Sequence, residues 1–199
     1  MQIVYISNRP SQLLETLSQV ALHMPFVREA VVCGPAHIQK QLCCAAIPIE
    51  FISEESLLGE RSAAQLAELD HQSRNYLLRQ ELIKSNVIAE EFIMADDDAR
   101  PLRALTLAHF KHDGKYRNYY FHDLADWHHN RTEFDSGQIS TWAVLLHKKL
   151  PTLAYASHMP QLINREIFRA ATEFFANYRE YHALCEWSTY FNYACHHAP

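Results

Sequence analysis

Short apolar runs alternate with amphipathic stretches in the first half of the chain. The β-branched and aromatic runs at residues 3–6, 30–33 and 48–52 each predict a buried strand. The stretch that begins at Pro10 carries leucines at helical spacing and predicts a first helix, and residues 36–43 predict a short second one. Strands and helices therefore alternate along this part of the chain.

A long amphipathic stretch and a further apolar run complete this half. Residues 62–86 predict one long helix, which Ser62 and Gln65 would open as a capping box. Residues 87–95 predict a fourth strand that leads directly into three aspartates. Because alternating strands and helices are typical of a mainly parallel sheet flanked by helices, we expect an α/β fold.

The second half has a different pattern, which is richer in helices. We expect helices at residues 101–110, 139–148, 164–178 and 186–195, extended segments at residues 116–121 and 152–156, and a long polar loop at residues 122–138. No internal repeat or linker divides the sequence. We therefore expect a single domain over residues 1–199 with a helix-rich C-terminal part.

Charge and composition exclude several classes of function. The 199 residues carry a formal net charge of −5 without a basic block, which argues against a nucleic-acid partner. No apolar run approaches the roughly 20 residues of a membrane span, and the N-terminus lacks a secretory signal. The five cysteines have no metal-site spacing and are expected to be reduced. We therefore expect a cytoplasmic protein. Residues 196–199 give no clear ending signal, so a longer chain with a membrane-associating tail stays open.

Asp96, Asp97 and Asp98 are the strongest chemical signal in the sequence. Three adjacent carboxylates repel one another unless a cation shares the site. In an extended segment the first and third side chains point to the same side, which suits a hard divalent cation with oxygen ligands. Ligands of parallel sheets bind at the carboxyl ends of the strands, so residues 7–9 are expected to share a crevice with these aspartates. A solvated acidic turn is the alternative.

The motif and the elements before it resemble a known family. Residues 90–102, EEFIMADDDARPL, preceded by three short strand–helix units and a long helix, are similar to the DxD region of GT-A fold nucleotide-sugar glycosyltransferases. The resemblance covers residues 1–105 and continues less specifically to the end. It implies a GT-A-like, Rossmann-type sandwich with a nucleotide-sugar-binding half at residues 1–105 and an acceptor-binding half at residues 106–199. It also implies Mn²⁺ or Mg²⁺ as a cofactor that bridges the donor diphosphate.

The resemblance implies roles for the acidic motif and for one late histidine. Asp96 would contact the ribose or the metal, and Asp98 would be a direct metal ligand. Asp97 would turn inward toward a structural partner. Several GT-A enzymes use a late histidine as another metal ligand, and His158 is the candidate here. A turn histidine bonded to the backbone is the alternative.

Polar residues of the first half would border the donor. Ser7, Asn8 and Arg9 match the loop after the first strand, which borders the nucleotide in GT-A enzymes. Arg74 and Arg79 lie on the long helix before the motif, where a guanidinium can meet a phosphate or a sugar with bidentate geometry. Ion pairs on the surface of that helix are the alternative for both arginines.

Candidates for the acceptor side lie in the second half. An inverting transferase needs a base for the acceptor hydroxyl. Glu186 is the first candidate, with Asp126 and Asp135 as reserves, although Glu186 could instead complement a helix dipole. Trp127 and the histidines beside it could pack against an acceptor sugar, or the tryptophan is simply exposed on a loop.

A second resemblance is to Stealth-type sugar-phosphate transferases of polysaccharide synthesis. Residues 96–98, 157–160 and 186–190 match the aspartate pair, the His-x-Pro element and the late acidic–aromatic segment of that family. Ala95 stands where the family has an asparagine. This resemblance implies transfer of a sugar 1-phosphate rather than of the sugar.

Three functions are therefore carried as hypotheses. The first is a metal-dependent glycosyltransferase that moves a sugar from a nucleotide-sugar donor to a glycan or lipid-linked acceptor. It would serve bacterial surface polysaccharide or lipopolysaccharide synthesis, with peripheral association at the inner face of the membrane. The alternatives are a Stealth-type sugar-1-phosphate transferase and a non-catalytic divalent-cation or carbohydrate-binding domain.

Overall fold

A five-stranded sheet forms the centre of the structure, a computed structural model that describes residues 1–59, 66, 68–156, 158–178 and 184–198. Its strands are β1 (Gln2–Ile6), β2 (Glu29–Gly34), β3 (Ile49–Ser53), β4 (Glu91–Met94) and β7 (Gln161–Asn164). A small hairpin of β5 (Lys111–His112) and β6 (Lys115–Tyr116) lies outside this sheet.

The strand order is β3-β2-β1-β4-β7, and it creates a switch point in the sheet. The chain winds outward from β1 to β3 and then crosses back to place β4 on the other side of β1. The first four strands are parallel, whereas β7 runs antiparallel to β4. The order reverses between β1 and β4, and the carboxyl ends of two such strands define the crevice where ligands of α/β sheets bind.

Helices cover both faces of the sheet. They are α1 (Pro10–His23), α2 (Glu54–Leu58), α3 (His71–Lys84), α4 (Glu133–His147), α5 (Arg165–Phe174) and α6 (Glu186–His197). Within the described ranges, no helix has the length and apolar character needed to cross a bilayer.

Alternation along the central strands divides the core into two layers. Ile3 and Tyr5 of β1 face α1, where Leu13 and Leu17 are fully buried. Val4 points to the opposite face, in the cluster that includes residues of α3, α5 and α6. Because successive side chains of a strand point to opposite faces, the apolar run of β1 contributes to both layers. These two layers confirm the predicted α/β sandwich.

Several predicted elements are confirmed within a residue or two. The first three strands and the helix from Pro10 lie where the pattern placed them. Residues 36–43 form a 3₁₀ helix over Ala36–Leu42, and the last predicted helix is α6. The helix predicted at residues 164–178 is shorter than predicted, since α5 ends at Phe174 and a separate 3₁₀ turn follows it.

The long helix predicted before the motif was wrong in extent. Helix α3 begins at His71, because Asp70 accepts a hydrogen bond from the Ser73 backbone at 2.7 Å and caps the helix there. The proposed capping box of Ser62 and Gln65 lies outside the described residues. A short helix, α2, follows β3 directly and was not predicted.

The fourth strand begins later than predicted, at Glu91. Residues 87–90 do not join the sheet, since the side chain of Gln2 binds their backbone instead. Its amide nitrogen donates to the Val87 carbonyl at 3.1 Å, and its oxygen accepts from the Ala89 amide at 2.9 Å. A side chain from β1 therefore replaces strand pairing, a contact that apolar patterning cannot reveal.

The connection after the aspartates is irregular rather than helical. The helix predicted at residues 101–110 reduces to a single 3₁₀ turn, Leu107–His109. The Leu105 amide instead donates to the His23 carbonyl at 2.8 Å and ties this segment to the end of α1. Of the extended segment predicted at residues 116–121, only Tyr116 belongs to a strand.

Two further predictions in the second half were wrong, and one strand was missed. The long polar loop ends early because Thr132 and Asp135 form a capping box that starts α4 at Glu133. Residues 152–156 form only an isolated bridge, between Asp123 and Leu153. Strand β7 was missed, since four residues between a proline and a helix give too short a pattern.

Gly34 sets the distance between β2 and the loop after β1. A β-carbon at this position would lie 2.2 Å from the Ser7 carbonyl oxygen and 2.9 Å from Cδ1 of Ile38. The Ser7 amide also donates to the Cys33 carbonyl at 2.9 Å, which holds the two segments together. Only glycine permits this approach of two backbones.

We therefore predict that Gly34→Ala lowers the free energy of unfolding by about 1–3 kcal/mol through overpacking. Gly114→Ala is the matched comparison, since Gly114 has a φ of 76° but open space around its missing β-carbon. That variant should cost about 1 kcal/mol, from backbone strain alone. Urea unfolding measures both, and a Gly34→Ala loss no larger than the Gly114→Ala loss would contradict the role of Gly34.

Candidate active site

A cavity of about 390 Å³ opens at the carboxyl ends of β1 and β4. Its walls come from six places in the chain: the loop after β1, the three aspartates after β4, one face of α3, the start of α4, the segment before β7 and the first residues of α6. The volume suits a small organic ligand. The cavity therefore lies at the switch point that the sheet topology defines, as the sequence predicted for residues 7–9 and the aspartates.

Asp97 fixes the floor of this cavity. Its carboxylate is 4% exposed and accepts a hydrogen bond from the Ser7 hydroxyl at 2.5 Å. Arg9 donates to the same carboxylate through two nitrogens, and Thr16 of α1 donates to the Asp97 carbonyl at 2.6 Å. The hydrogen bond to Asp97 raises the pKa of Arg9. The loop after β1 is thus tied to the end of β4, and Asp97 turns inward as predicted.

Arg79 is buried between two carboxylates. Its guanidinium donates to Asp96 at 2.6 Å, and its Nε lies 2.9 Å from a carboxylate oxygen of Glu186. The guanidinium also lies over the Trp187 ring, 4.9 Å from the ring centre. Burial works to lower the pKa of Arg79, but Glu186 and Asp96 raise it overall. Burial raises the pKa of Glu186, an effect that Arg79 opposes.

His158 lies beside the outer two aspartates. Its Nδ1 is 3.0 Å from Asp98 and 3.5 Å from Asp96. Partial burial works to raise the pKa of Asp98, but the hydrogen bond from His158 and the nearby charges lower it overall. His158 has a φ of 54°, in the left-handed region that non-glycine residues rarely adopt. Such backbone conformations cluster at functional sites.

The side chains of Asp96, Asp98 and His158 form a donor set that suits Mn²⁺ or Mg²⁺. Carboxylate oxygens suit both ions, and a neutral imidazole is compatible with Mn²⁺. In the part of the chain that the structure describes, no three His, Cys, Asp or Glu side chains already converge as ligands. The three side chains therefore match the cation by donor type, and in this structure they are joined by hydrogen bonds and ion pairs.

Some of the other predicted site residues line the cavity, and others do not. Asn8 lines the cavity with its neighbours, and Arg74 lines it while it also pairs with Glu54 of α2. Glu186 lies in the wall with its carboxylate turned to Arg79. Asp126 lies exposed on a 3₁₀ turn and is not among the lining residues. Asp135 completes the capping box of α4 by accepting a hydrogen bond from the backbone of the N-cap residue Thr132.

Sequence reasoning missed several lining residues on α3 and α4. Gln72 and Asn75 line the cavity from the same helix as Arg79, at spacings of three and four residues. That spacing places them on one helical face, so the sequence contained a signal that could have identified them. Phe134 of α4 also lines the cavity and contacts the ring of Trp127 edge-on, with 5.6 Å between ring centres.

Comparisons with known proteins address the fold. No family model matches the sequence, and a search of curated proteins finds no match. Among solved structures, an active-site mutant of LgtC matches with a TM-score of 0.55 and 17% identity, over 97% of this chain and 69% of that one. A structure of the galactosyltransferase LgtC with donor and acceptor sugar analogues matches with a TM-score of 0.49 and 14% identity, over 97% and 70% of the chains. The first match confirms the predicted GT-A-like fold, and at this identity it concerns the fold alone.

We predict that Asp97→Asn destabilises the protein more than Asp98→Asn. The first substitution replaces an acceptor oxygen with a donor that faces Arg9 or Ser7, at a position that is 4% exposed. It should cost about 1–3 kcal/mol of unfolding free energy. The Asp98 side chain is 34% exposed, so its substitution should cost less than about 1 kcal/mol. Urea unfolding without divalent cations compares the two, and equal losses would show that Asp97 does not hold the loop.

Proposed function

We propose that this protein is a metal-dependent glycosyltransferase that moves a sugar from a nucleotide-sugar donor to a glycan acceptor. One observation carries the proposal: Asp96 and Asp98 face a cavity at the switch point while Asp97 is turned into the protein. This arrangement leaves two outward carboxylates beside His158 and buried arginine charge, in a cavity of the size of a small organic ligand.

The donor would lie across the carboxyl ends of β1 and β4. Ser7 and Asn8 line the nucleotide side, and the loop that carries them is held by Asp97. Arg79 and the half-exposed Arg9 supply positive charge close to the aspartates, where a diphosphate needs it. The fit of an anionic diphosphate among three carboxylates therefore depends on these guanidinium groups and on a cation.

Asp96, Asp98 and His158 would hold Mn²⁺ or Mg²⁺. When bound, the cation neutralises the charge that develops on the leaving nucleoside diphosphate. The protein contributes the placement of these side chains: Arg79 holds Asp96, and the His158 ring contacts both aspartates.

Glu186 is proposed as a positioning residue rather than as the base. Its carboxylate is buried and lies 2.9 Å from Arg79, which in turn binds Asp96. A general base must have an oxygen free to accept the proton of the acceptor hydroxyl. The pairing with Arg79 uses one carboxylate oxygen of Glu186, and Gln72 lies 3.5 Å from the other.

The acceptor would enter beside α4. Phe134 offers an aromatic surface in the cavity, supported by Trp127 behind it. Aromatic rings pack against the CH faces of sugars, so a glycan or a lipid-linked sugar suits this wall. We place the reaction in bacterial surface polysaccharide or lipopolysaccharide synthesis, in the cytoplasm and at the inner face of the membrane.

A thermal-shift screen with product analysis tests the proposal. UDP, GDP, CMP and their sugars are each measured with and without Mn²⁺. We expect stabilisation by one nucleotide only with Mn²⁺, because a ligand of the native state adds about 2.7 kcal/mol at one hundred times its Kd. Asp98→Ala should abolish the shift, whereas the exposed carboxylate variant Glu50→Ala should keep it.

The products distinguish the reaction types. Release of a nucleoside diphosphate supports transfer of the sugar. Release of a nucleoside monophosphate would instead indicate transfer of a sugar 1-phosphate. If the folded protein binds Mn²⁺ but no nucleotide stabilises it, the protein is a binding domain and the glycosyltransferase proposal fails.

The role of Glu186 has its own test. Glu186→Gln should raise the donor KM and lower kcat/KM by about tenfold, since Arg79 loses the charge that orients it. Arg79→Lys should show the same change in donor KM. Loss of a general base would instead lower kcat by roughly 10²–10⁴ at unchanged donor KM, and that result would restore Glu186 as the base. Thermal unfolding of both variants checks that they fold.

A further inference from the structure

The segment at residues 100–121, which we call the connector, has a surface unlike the rest of the chain. It contains five basic residues and one acidic residue, in a protein whose net charge is −5. It also carries five of the nine large apolar side chains that are exposed in the described structure. These five are Leu102, Leu107, Tyr119, Tyr120 and Phe121.

The connector is held in place by its backbone and by one buried ring. Phe110 is 3% exposed and packs against Phe26 at 5.8 Å between ring centres. The Arg117 amide donates to the Phe110 carbonyl at 2.8 Å, and the Tyr119 hydroxyl donates to the His109 carbonyl at 2.7 Å. These contacts close a hairpin over residues 109–119, which contains two exposed basic residues and is followed directly by two exposed aromatic residues.

Three of the basic side chains have no carboxylate partner among the described residues. Arg100 pairs with Glu15, and Lys111 pairs with Glu91. Arg103, Lys115 and Arg117 are exposed and form no ion pair within the described ranges. Their charge is therefore available to an external anion.

We propose that the connector docks this protein on the anionic surface of a lipid bilayer. Exposed tyrosine and phenylalanine rings favour the boundary between headgroups and acyl chains. Unpaired lysine and arginine beside them attract anionic headgroups. Tyr120 and Phe121 are 55% and 63% exposed, and together with the exposed Lys115 and Arg117 they supply both contributions within residues 115–121.

Charge disfavours a second copy of the chain as the occupant. A twofold interface through the connector would bring the same basic side chains of both copies together. Their repulsion would oppose association, whereas an anionic bilayer neutralises them.

Both ends of the connector lie near segments that line the cavity, although no connector residue is among the lining residues. It begins two residues after Asp98, and the Phe121 amide donates to the Ala154 carbonyl at 3.0 Å. Ala156, two residues after Ala154, lines the cavity. A bilayer docked on the connector would lie beside the opening, so a lipid-linked acceptor would reach it without leaving the membrane. This last step rests on the proposed function, but the docking does not.

Vesicle co-sedimentation tests the docking with the full chain. The probes are vesicles of phosphatidylcholine alone and vesicles that also contain phosphatidylglycerol, at low and high salt. We expect binding to the anionic vesicles only, weakened by salt because charge contributes to it. Lys115→Glu with Arg117→Glu should reduce the apparent affinity at least about tenfold, and Tyr120→Ser with Phe121→Ser should reduce it as well.

Matched controls separate this surface from general effects. Lys40→Glu with Leu146→Ser changes one exposed basic and one exposed apolar residue elsewhere, and binding should be unchanged. The proposal would be overturned if the protein bound neutral and anionic vesicles equally, if the control variant lost as much binding as the connector variants, or if the connector variants bound fully. It would also be overturned if light scattering showed a self-association that the connector variants abolish.

The proposed function is tested separately in the same proteins. The connector variants should retain the nucleotide-dependent thermal shift of the wild type, since none of the four substituted residues lines the cavity. A connector variant that loses vesicle binding but keeps the nucleotide-dependent thermal shift supports the docking proposal only, and not the transferase. A missing shift in the wild type would refute the transferase and leave the vesicle result to decide the docking.

Discussion

The buried carboxylate of Asp97 is the interaction on which the site depends. It joins the loop after β1 to the end of β4 through Ser7 and Arg9, and these two strands flank the switch point of the sheet. Because an unpaired charge in this position would be costly, the hydrogen bonds that Asp97 accepts hold the loop in place. Because Asp97 turns inward, Asp96 and Asp98 are left to face the cavity.

A second set of charges connects the two halves of the chain. Arg79 of α3 lies between Asp96 of the first half and Glu186 of the last helix, and Trp187 covers it. A buried ion pair contributes little net stability, but removal of one partner leaves an uncompensated charge. The C-terminal helix therefore helps to determine the orientation of an aspartate that lies much earlier in the chain.

Two side-chain amides bind backbone groups of segments that do not join the main sheet. Gln2 binds the backbone before β4, and Gln161 of β7 binds both backbone groups of Tyr119. Gln161 is fully buried. The Gln161 contact ties the connector to β7 at Tyr119, while the connector itself does not join the main sheet. Under the function and the docking proposed above, a lipid-linked acceptor held at the connector would lie near the cavity.

The sequence by itself determined the parallel sheet, its first strands and the position of the acidic motif. Local periodicity and the aspartates after an apolar run are visible without any tertiary contact. The pairing of Glu186 with Arg79, the addition of β7 and the late start of β4 were decided by the tertiary structure. Each depends on residues far apart in the chain, such as Gln2 with Ala89, or on a segment too short to show a period. The capping box of Thr132 and Asp135 is different, since its signal was local and was overlooked.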